Sequence, residues 1–208
     1  PLAALAPTFG RGAMPSNWVD IKNANVVLII GGNPAGTHPV GFKWVIAAKI
    51  RNGATVIVVD PRFHRSASVA DIYAPVRAGS DITFLMGMVN YLLTHDRIQH
   101  EYVRAYTNAS LIVRNDYHFD DGLFSGYDAK ARRYDRSSWA YELEDNGHAR
   151  QDLPMSHPRC VFNLRKQHLS PYAPAPVSQL CCTHESHSLQ TFAILPSPVL
   201  PDRTATFL

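Results

Sequence analysis

The sequence predicts an α/β fold: a three-layer αβα, dinucleotide-binding-like domain around a mostly parallel sheet. Two short apolar, β-branched runs carry that expectation, Val26-Val27-Leu28-Ile29-Ile30 and Ala54-Thr55-Val56-Ile57-Val58-Val59, with a segment of helical period between them. Runs apolar throughout, rather than alternating, suit strands buried on both faces, and a strand–helix–strand unit makes them parallel. Each run stops sharply, at Gly31-Gly32-Asn33 and at Asp60-Pro61-Arg62. Ligands of open α/β sheets sit at the carboxyl ends of the strands. The unit therefore predicts a nucleotide-like site.

The elements follow in order. Residues 1–13 are small, apolar and glycine-bearing without a methionine start, which reads as a cut end. Ser16 is the expected N-cap of a turn or two of helix reaching Lys22. After the first strand, Thr37 or His38 caps a helix with Pro39 in its first turn, where a missing N–H is harmless. Phe42, Val45, Ile46, Lys49 and Ile50 carry its period, and Asn52-Gly53 ends it. A short helix over 66–71 and a third strand over 72–76 come after the second strand. Ser80-Asp81 then caps the strongest helix, with Phe84, Leu85, Met88, Val89, Leu92 and Leu93 on one face. A short helix is expected over 98–106.

From 108 to about 157 the composition turns to Asp, Arg, Tyr and Gly with little periodicity. It is too aromatic for disorder, so it predicts an ordered, loop-rich insertion that packs against something else. Residues 158–180 return to helix, with Val161, Leu164 and Leu169 as the apolar stripe. Residues 181–208 hold no sustained period and are expected to be an aberrant or disordered tail. The organisation expected is thus 1–107, 108–157, 158–180 and 181–208.

With 208 residues, 46% of them hydrophobic, the chain can bury one core or slightly more. Its formal charge of +3 is spread out, too weak for nucleic acid but compatible with an anionic ligand. No apolar run reaches the roughly 18 residues of a membrane span. Cys160, Cys181 and Cys182 form neither a CxxC pair nor a disulfide framework. The ten histidines are scattered and form no metal constellation, and no P-loop, nucleophile elbow or zinc motif occurs. No catalytic residue is expected in this chain.

Three strand-to-helix loops bear the candidate chemistry. Gly31-Gly32-Asn33 suits close backbone approach to a phosphate, though paired glycines also serve as plain tight turns. Its spacing is not GxGxxG, which disfavours a nicotinamide cofactor. Asp60 stands where an acid commonly accepts from a ribose hydroxyl, or simply caps a turn before Pro61. Arg62 and Arg65 suit phosphate, or a solvated surface. In the loop Arg77-Ala78-Gly79-Ser80-Asp81 a carboxylate can pair with a guanine edge or merely cap the next helix.

Together these loops resemble a known family. GGNPAGTHPVGFKW and VVDPRFHRSASVADIYAPVRAGSDITFL are similar to the molybdopterin oxidoreductases, and the stretch over 105–168 resembles the large subunit of membrane-associated, periplasm-facing formate dehydrogenases. The likeness runs over residues 4–180 and resumes at 202–208. It implies a molybdenum bis(molybdopterin guanine dinucleotide) cofactor. Gly31, Gly32, Asn33 and His38 would line its pyrophosphate side, Asp60 and Arg62 the guanosine, and Gly79 with Asp81 the guanine edge.

The resemblance also implies an incomplete fragment of a larger multidomain subunit. In the intact enzyme formate is oxidised, and electrons leave through a [4Fe-4S] cluster to an iron–sulfur beta subunit and a membrane cytochrome b gamma subunit. Its setting is periplasmic, anaerobic respiration. The cluster's cysteines are not in this chain. In the family a selenocysteine or cysteine that binds the metal precedes His-Gly-Pro, and Pro1 stands where that proline would be. Residues 182–200 depart from the family, a pattern that compensating frameshifts would produce. Another molybdopterin oxidoreductase, such as a nitrate or thiosulfate reductase, and a stand-alone nucleotide-binding module remain as alternatives.

Overall fold

The structure, a computed structural model, describes residues 16–194 and 205–207. The chain groups into two compact units, Pro1–Met88 with Pro174–Leu208, and Val89–Ala173. Those divisions replace the expected ones near 107 and 157. They also return the segment after Pro174 to the first unit.

The first unit is built on a four-stranded parallel sheet, in the order β3-β2-β1-β8. β1 is Val26–Ile30, β2 is Thr55–Val59, β3 is Ile72–Ala74 and β8 is Ala205–Phe207. In register, Val27 faces Val56 and Ile29 faces Val58, while Leu28 faces Ile57. Every residue from Val26 to Ile29 and from Val56 to Val59 is buried, so both faces of these strands are covered. Burying each such side chain contributes about 1.5–3 kcal/mol, which is why continuous apolar runs were diagnostic.

One face carries Val27, Ile29, Val56 and Val58 in a cluster with Ile21, Phe42 and Val45. Phe42 and Val45 belong to the helix between the first two strands. That segment splits into α1, Pro34–Thr37, and α2, Pro39–Asn52. Gly53 ends α2 in the left-handed conformation at φ 63°, where a side chain would be strained. Ile50 is exposed rather than part of the apolar stripe. Lys49, one residue earlier, turns instead to the Val69 carbonyl and the Asp71 carboxylate, both at 2.7 Å.

The opening helix is a 3₁₀ helix, Trp18–Asn23, and its cap is Asn17, not Ser16: the Asn17 carboxamide accepts from the Val19 N–H at 3.0 Å. Its Trp18 ring lies so close over α2 that any side chain at Gly41 would run into it. The expected short helix over 66–71 is a single 3₁₀ turn, Ala67–Val69.

α3, Asp81–Thr94, and α4, His100–Tyr106, follow the third strand. Of the predicted stripe on α3, Phe84 and Met88 are buried. The second unit is loop-rich, as expected. Its only regular strands among the described residues are two short hairpins, β4 (Phe119–Asp120) with β5 (Leu123–Phe124) and β6 (Tyr127–Asp128) with β7 (Arg133–Tyr134). Aromatic rings hold the hairpins: Tyr127 meets Tyr134 at 5.0 Å, and Trp139 meets both Tyr134 and Phe124 at 5.3 and 5.4 Å. The Trp139 indole N–H donates to the Ser125 carbonyl at 2.9 Å. A small core of Ala109, Met155 and Cys160 closes the unit beside α5, Val161–Leu169.

The expectation of an irregular tail fails over 181–194. α6, Pro174–Cys181, and α7, Glu185–Ile194, are helices, and Cys181, Thr183, Ser188, Thr191 and Phe192 are buried. The inward face of α7 is Ser188, Thr191 and Phe192, spaced i, i+3, i+4. Two of the three are small polar residues, so the helical period exists but carries no hydrophobic signal. Thr191 satisfies its hydroxyl by donating to the His187 carbonyl at 2.8 Å. Residues 205–207 pair with β1 as a strand. The remainder of the expected tail, 195–204 and 208, and the expected cut end at 1–13 lie outside the described residues.

Candidate functional site

The three parallel strands β1, β2 and β3 point their carboxyl ends to the same edge, so the three loops named from sequence leave the sheet there. A cleft of about 620 Å³ opens between the first two loops, lined by Gly31, Gly32, Asn33, Gly36, Thr37, Asp60, Arg62, His64 and Arg65.

Gly31 continues the ladder, its N–H donating to the Val59 carbonyl at 3.1 Å, and then turns at φ 64°. Nothing lies within 4 Å of where its side chain would be, so that space belongs to the cleft. The Asn33 carboxamide oxygen, Oδ1, is held within the fold. It accepts from the Ser66 hydroxyl at 3.0 Å and the Ser66 N–H at 3.3 Å, and the Ser66 hydroxyl in turn accepts from the Ala35 N–H at 3.0 Å. The Asn33 carbonyl also accepts from Gly36 N–H, Thr37 N–H and the Thr37 hydroxyl. Asn33 is thus the brace of the first loop.

Asp60 leaves β2 with its Oδ1 accepting from the Arg62 N–H at 2.8 Å, which folds the chain back so that both Arg62 and His64 reach the cleft. Its backbone carbonyl accepts from the Tyr73 hydroxyl at 2.9 Å. Burial, and then the Asp60 charge, push the Tyr73 phenol above its usual range, so it stays a donor. Arg62 and Arg65 are exposed, and among the described residues neither guanidinium has an acceptor. Two cations without partners at the mouth of a cleft attract an anion.

Of the eight candidate residues, Gly31, Gly32, Asn33, Asp60 and Arg62 line this cleft, and His38, Gly79 and Asp81 do not. His38 precedes α2 with its ring 5.6 Å from the Trp18 ring. Gly79, at φ 84°, and Asp81, at the start of α3, are exposed in the third loop. That loop is shaped from behind. The Arg77 N–H donates to the Cys181 carbonyl at 2.7 Å, and the Cys181 thiol lies 3.7 Å from the Ser80 carbonyl. His64, Gly36 and Thr37 line the cleft too and were not among the candidate site residues. The one available signal was the spacing of His64, four residues after Asp60.

Residues 4–110 match the family described as molybdopterin oxidoreductase. The chain belongs to that family. It is 59% identical over 207 residues to the nitrate-inducible formate dehydrogenase major subunit of Escherichia coli K12, and 57% identical to the formate dehydrogenase-O major subunit of the same organism. Each alignment covers 100% of this chain and 20% of the relative, so the chain spans a fifth of their length. Among solved structures, acetylene hydratase from Pelobacter acetylenicus matches 91% of the chain with a TM-score of 0.56 at 16% identity, a likeness of fold.

Molybdopterin oxidoreductases carry a molybdenum–pterin cofactor, and the cleft fits the phosphate-bearing end of such a group. It offers a glycine turn with open space at Gly31, two unpaired guanidinium groups, and a carboxylate at the end of β2. Among the described residues no three His, Cys, Asp or Glu side chains stand together to hold a metal ion.

Proposed function

We propose that this chain is part of the catalytic subunit of a formate dehydrogenase, which oxidises formate to carbon dioxide. In that subunit it holds the nucleotide end of a molybdopterin guanine dinucleotide. The identity of 59% across the whole chain to a formate dehydrogenase major subunit is the observation that carries this reading. In the cleft, Arg62 and Arg65 would take the pyrophosphate beside the Gly31-Gly32 turn, and Asp60 the guanosine ribose. Gly79 and Asp81, on the same edge of the sheet, would meet the guanine. When bound, the group supplies two-electron redox chemistry, while these residues bind and orient it.

The same proposal includes an iron–sulfur cluster in the intact subunit, iron–sulfur and cytochrome partner subunits, and a periplasmic face. These rest on the resemblance of the insertion and the loops. No helix among the described residues is long and apolar enough to cross a membrane.

Calorimetry on the 208-residue chain tests the binding role. GDP is expected to bind, and the purified pterin dinucleotide to bind more tightly. Arg62→Ala and Arg65→Ala should each weaken GDP by about ten-fold or more, since each removes a charge-assisted contact worth roughly 1.5–3 kcal/mol. Absence of heat with both ligands would overturn the reading.

A further inference from the structure

The sequence contains two Asn-Gly pairs, Asn52-Gly53 and Asn146-Gly147. A side-chain carboxamide that precedes glycine is open to attack by its own main chain. The glycine nitrogen can add to the carboxamide carbon, because no Cβ shields it. The fold sets the two pairs in opposite conditions.

Asn52 is the last residue of α2, and its Nδ2 donates to the Lys22 carbonyl at 2.6 Å. That bond draws the carboxamide across to the 3₁₀ helix and away from its own peptide. The Gly53 N–H is taken by the Ala48 carbonyl at the end of the helix.

Asn146 is exposed, in a turn closed by the Leu143–Ala149 bridge and by the Glu144 N–H donating to the His148 carbonyl at 2.8 Å. Its Oδ1 accepts from the His148 N–H, two residues on, at 2.8 Å. An Asx turn of this kind folds the carboxamide back over the intervening peptide, which carries the Gly147 nitrogen. Nδ2 meanwhile donates to the Glu144 carboxylate at 3.0 Å. When the nitrogen adds, negative charge develops on Oδ1, and the His148 N–H is already aimed at it, as an oxyanion donor would be. The bond given up is the one from the Gly147 N–H to the Glu144 carbonyl at 2.9 Å. Water can replace it, since nothing lies within 4 Å of where a Gly147 side chain would stand.

We infer that Asn146 is a site of spontaneous modification, converted by its own turn to aspartate and isoaspartate, while the fold protects Asn52. The Gly147 nitrogen bonds to Asn146 Cγ, the Cγ–Nδ2 bond breaks, and ammonia leaves with the proton that nitrogen carried. Water then adds to one carbonyl of the resulting succinimide and breaks that carbonyl's bond to the ring nitrogen. Opening at Cγ gives aspartate. Opening at the main-chain carbonyl gives isoaspartate, whose backbone is one carbon longer. No oxidant or reductant takes part. Either product sets a new carboxylate beside Glu144 and Asp145, and isoaspartate also lengthens the turn between Leu143 and Ala149.

The test incubates the folded 208-residue chain in isotopically heavy water at mildly alkaline pH, beside a sample unfolded in urea. Peptide mass spectrometry follows the exchange of amide for labelled acid at both asparagines. In the folded chain Asn146 should react roughly ten-fold faster than Asn52, a modest share of what one positioned donor contributes to such a step. In urea the two rates should converge, because both are then plain Asn-Gly pairs. Equal rates in the folded chain, or a faster Asn52, would overturn the inference. So would an excess at Asn146 that persists in urea, which would place the difference in local sequence rather than in the turn. Absence of label at Asn146 in the folded chain, over a time in which the unfolded sample reacts, would overturn it as well.

Discussion

The Asn33 carboxamide oxygen reaches Ser66, 33 positions later in the chain, and accepts from both its hydroxyl and its N–H. The turn after β1 is thereby fastened to the turn after β2, and the cleft keeps its width through this link. Ser66 is fully buried, so water cannot replace the partner it would lose.

Asn33→Ala should therefore lower stability by about 1–3 kcal/mol, the cost of stranding buried polar groups. Asn33→Asp, which keeps the acceptor, should lose less. Urea unfolding midpoints of the two variants check the order, and equal midpoints for Asn33→Ala and the parent would refute it.

Phe192 is fully buried on α7, with its ring 5.2 Å from Phe84 of α3. Phe192→Ala should cost about 3–5 kcal/mol. Were 185–194 an unpacked tail, the same substitution would leave the thermal midpoint unmoved.

Burial alone would raise the Asp71 carboxyl, but the hydrogen bond from Lys49, the Val56 N–H and the Lys49 charge outweigh it and hold it below the usual value of 3.8. A carboxyl lowered by folding contributes stability above its unfolded pKa, and that contribution is lost as pH falls through the folded value. Its size should be under about 1 kcal/mol, because the pair is well exposed to solvent. Asp71→Asn should lose this part of the acid dependence, so that its stability deficit relative to the parent shrinks between pH 6 and pH 3. A deficit unchanged over that range would count against the pairing.

Burial pushes the thiols of Cys160 and Cys181 above the usual range, while Cys182 is exposed. Brief treatment with iodoacetamide at neutral pH should label Cys182 alone, and urea should release the other two. Peptide mass spectrometry reads the sites. Labelling of Cys160 in the native chain would contradict its hydrogen bond to the Ala109 carbonyl, at 2.7 Å.

The two central strands, the Gly53 helix stop and the glycine turn at 31 were legible because each is written locally: an apolar run, or a φ that only glycine tolerates easily. The cleft's carboxylate was legible for the same reason, since Asp60 directly ends a strand. What escaped depends on distant partners. The bracing role of Asn33 is invisible until Ser66 is seen to hold its carboxamide oxygen. His64 reads as a scattered histidine until the Asp60–Arg62 hydrogen bond turns it back to the cleft. α7 hid its inward face behind Ser188 and Thr191, and Ile50 fitted a stripe that the sheet does not use.

β1 has its neighbours made at very different times. β2 follows it within one helix, but the residues that pair with its other edge are Ala205–Phe207. At a ribosome's pace of about 5–20 residues per second, that edge waits on the order of ten seconds or more for its partner. Until then the row of unpaired N–H and C=O groups on Val26–Leu28 is open to any passing strand. Pairing on this edge of β1 consequently comes after pairing with β2, and a chaperone that covers the open edge would act within that interval.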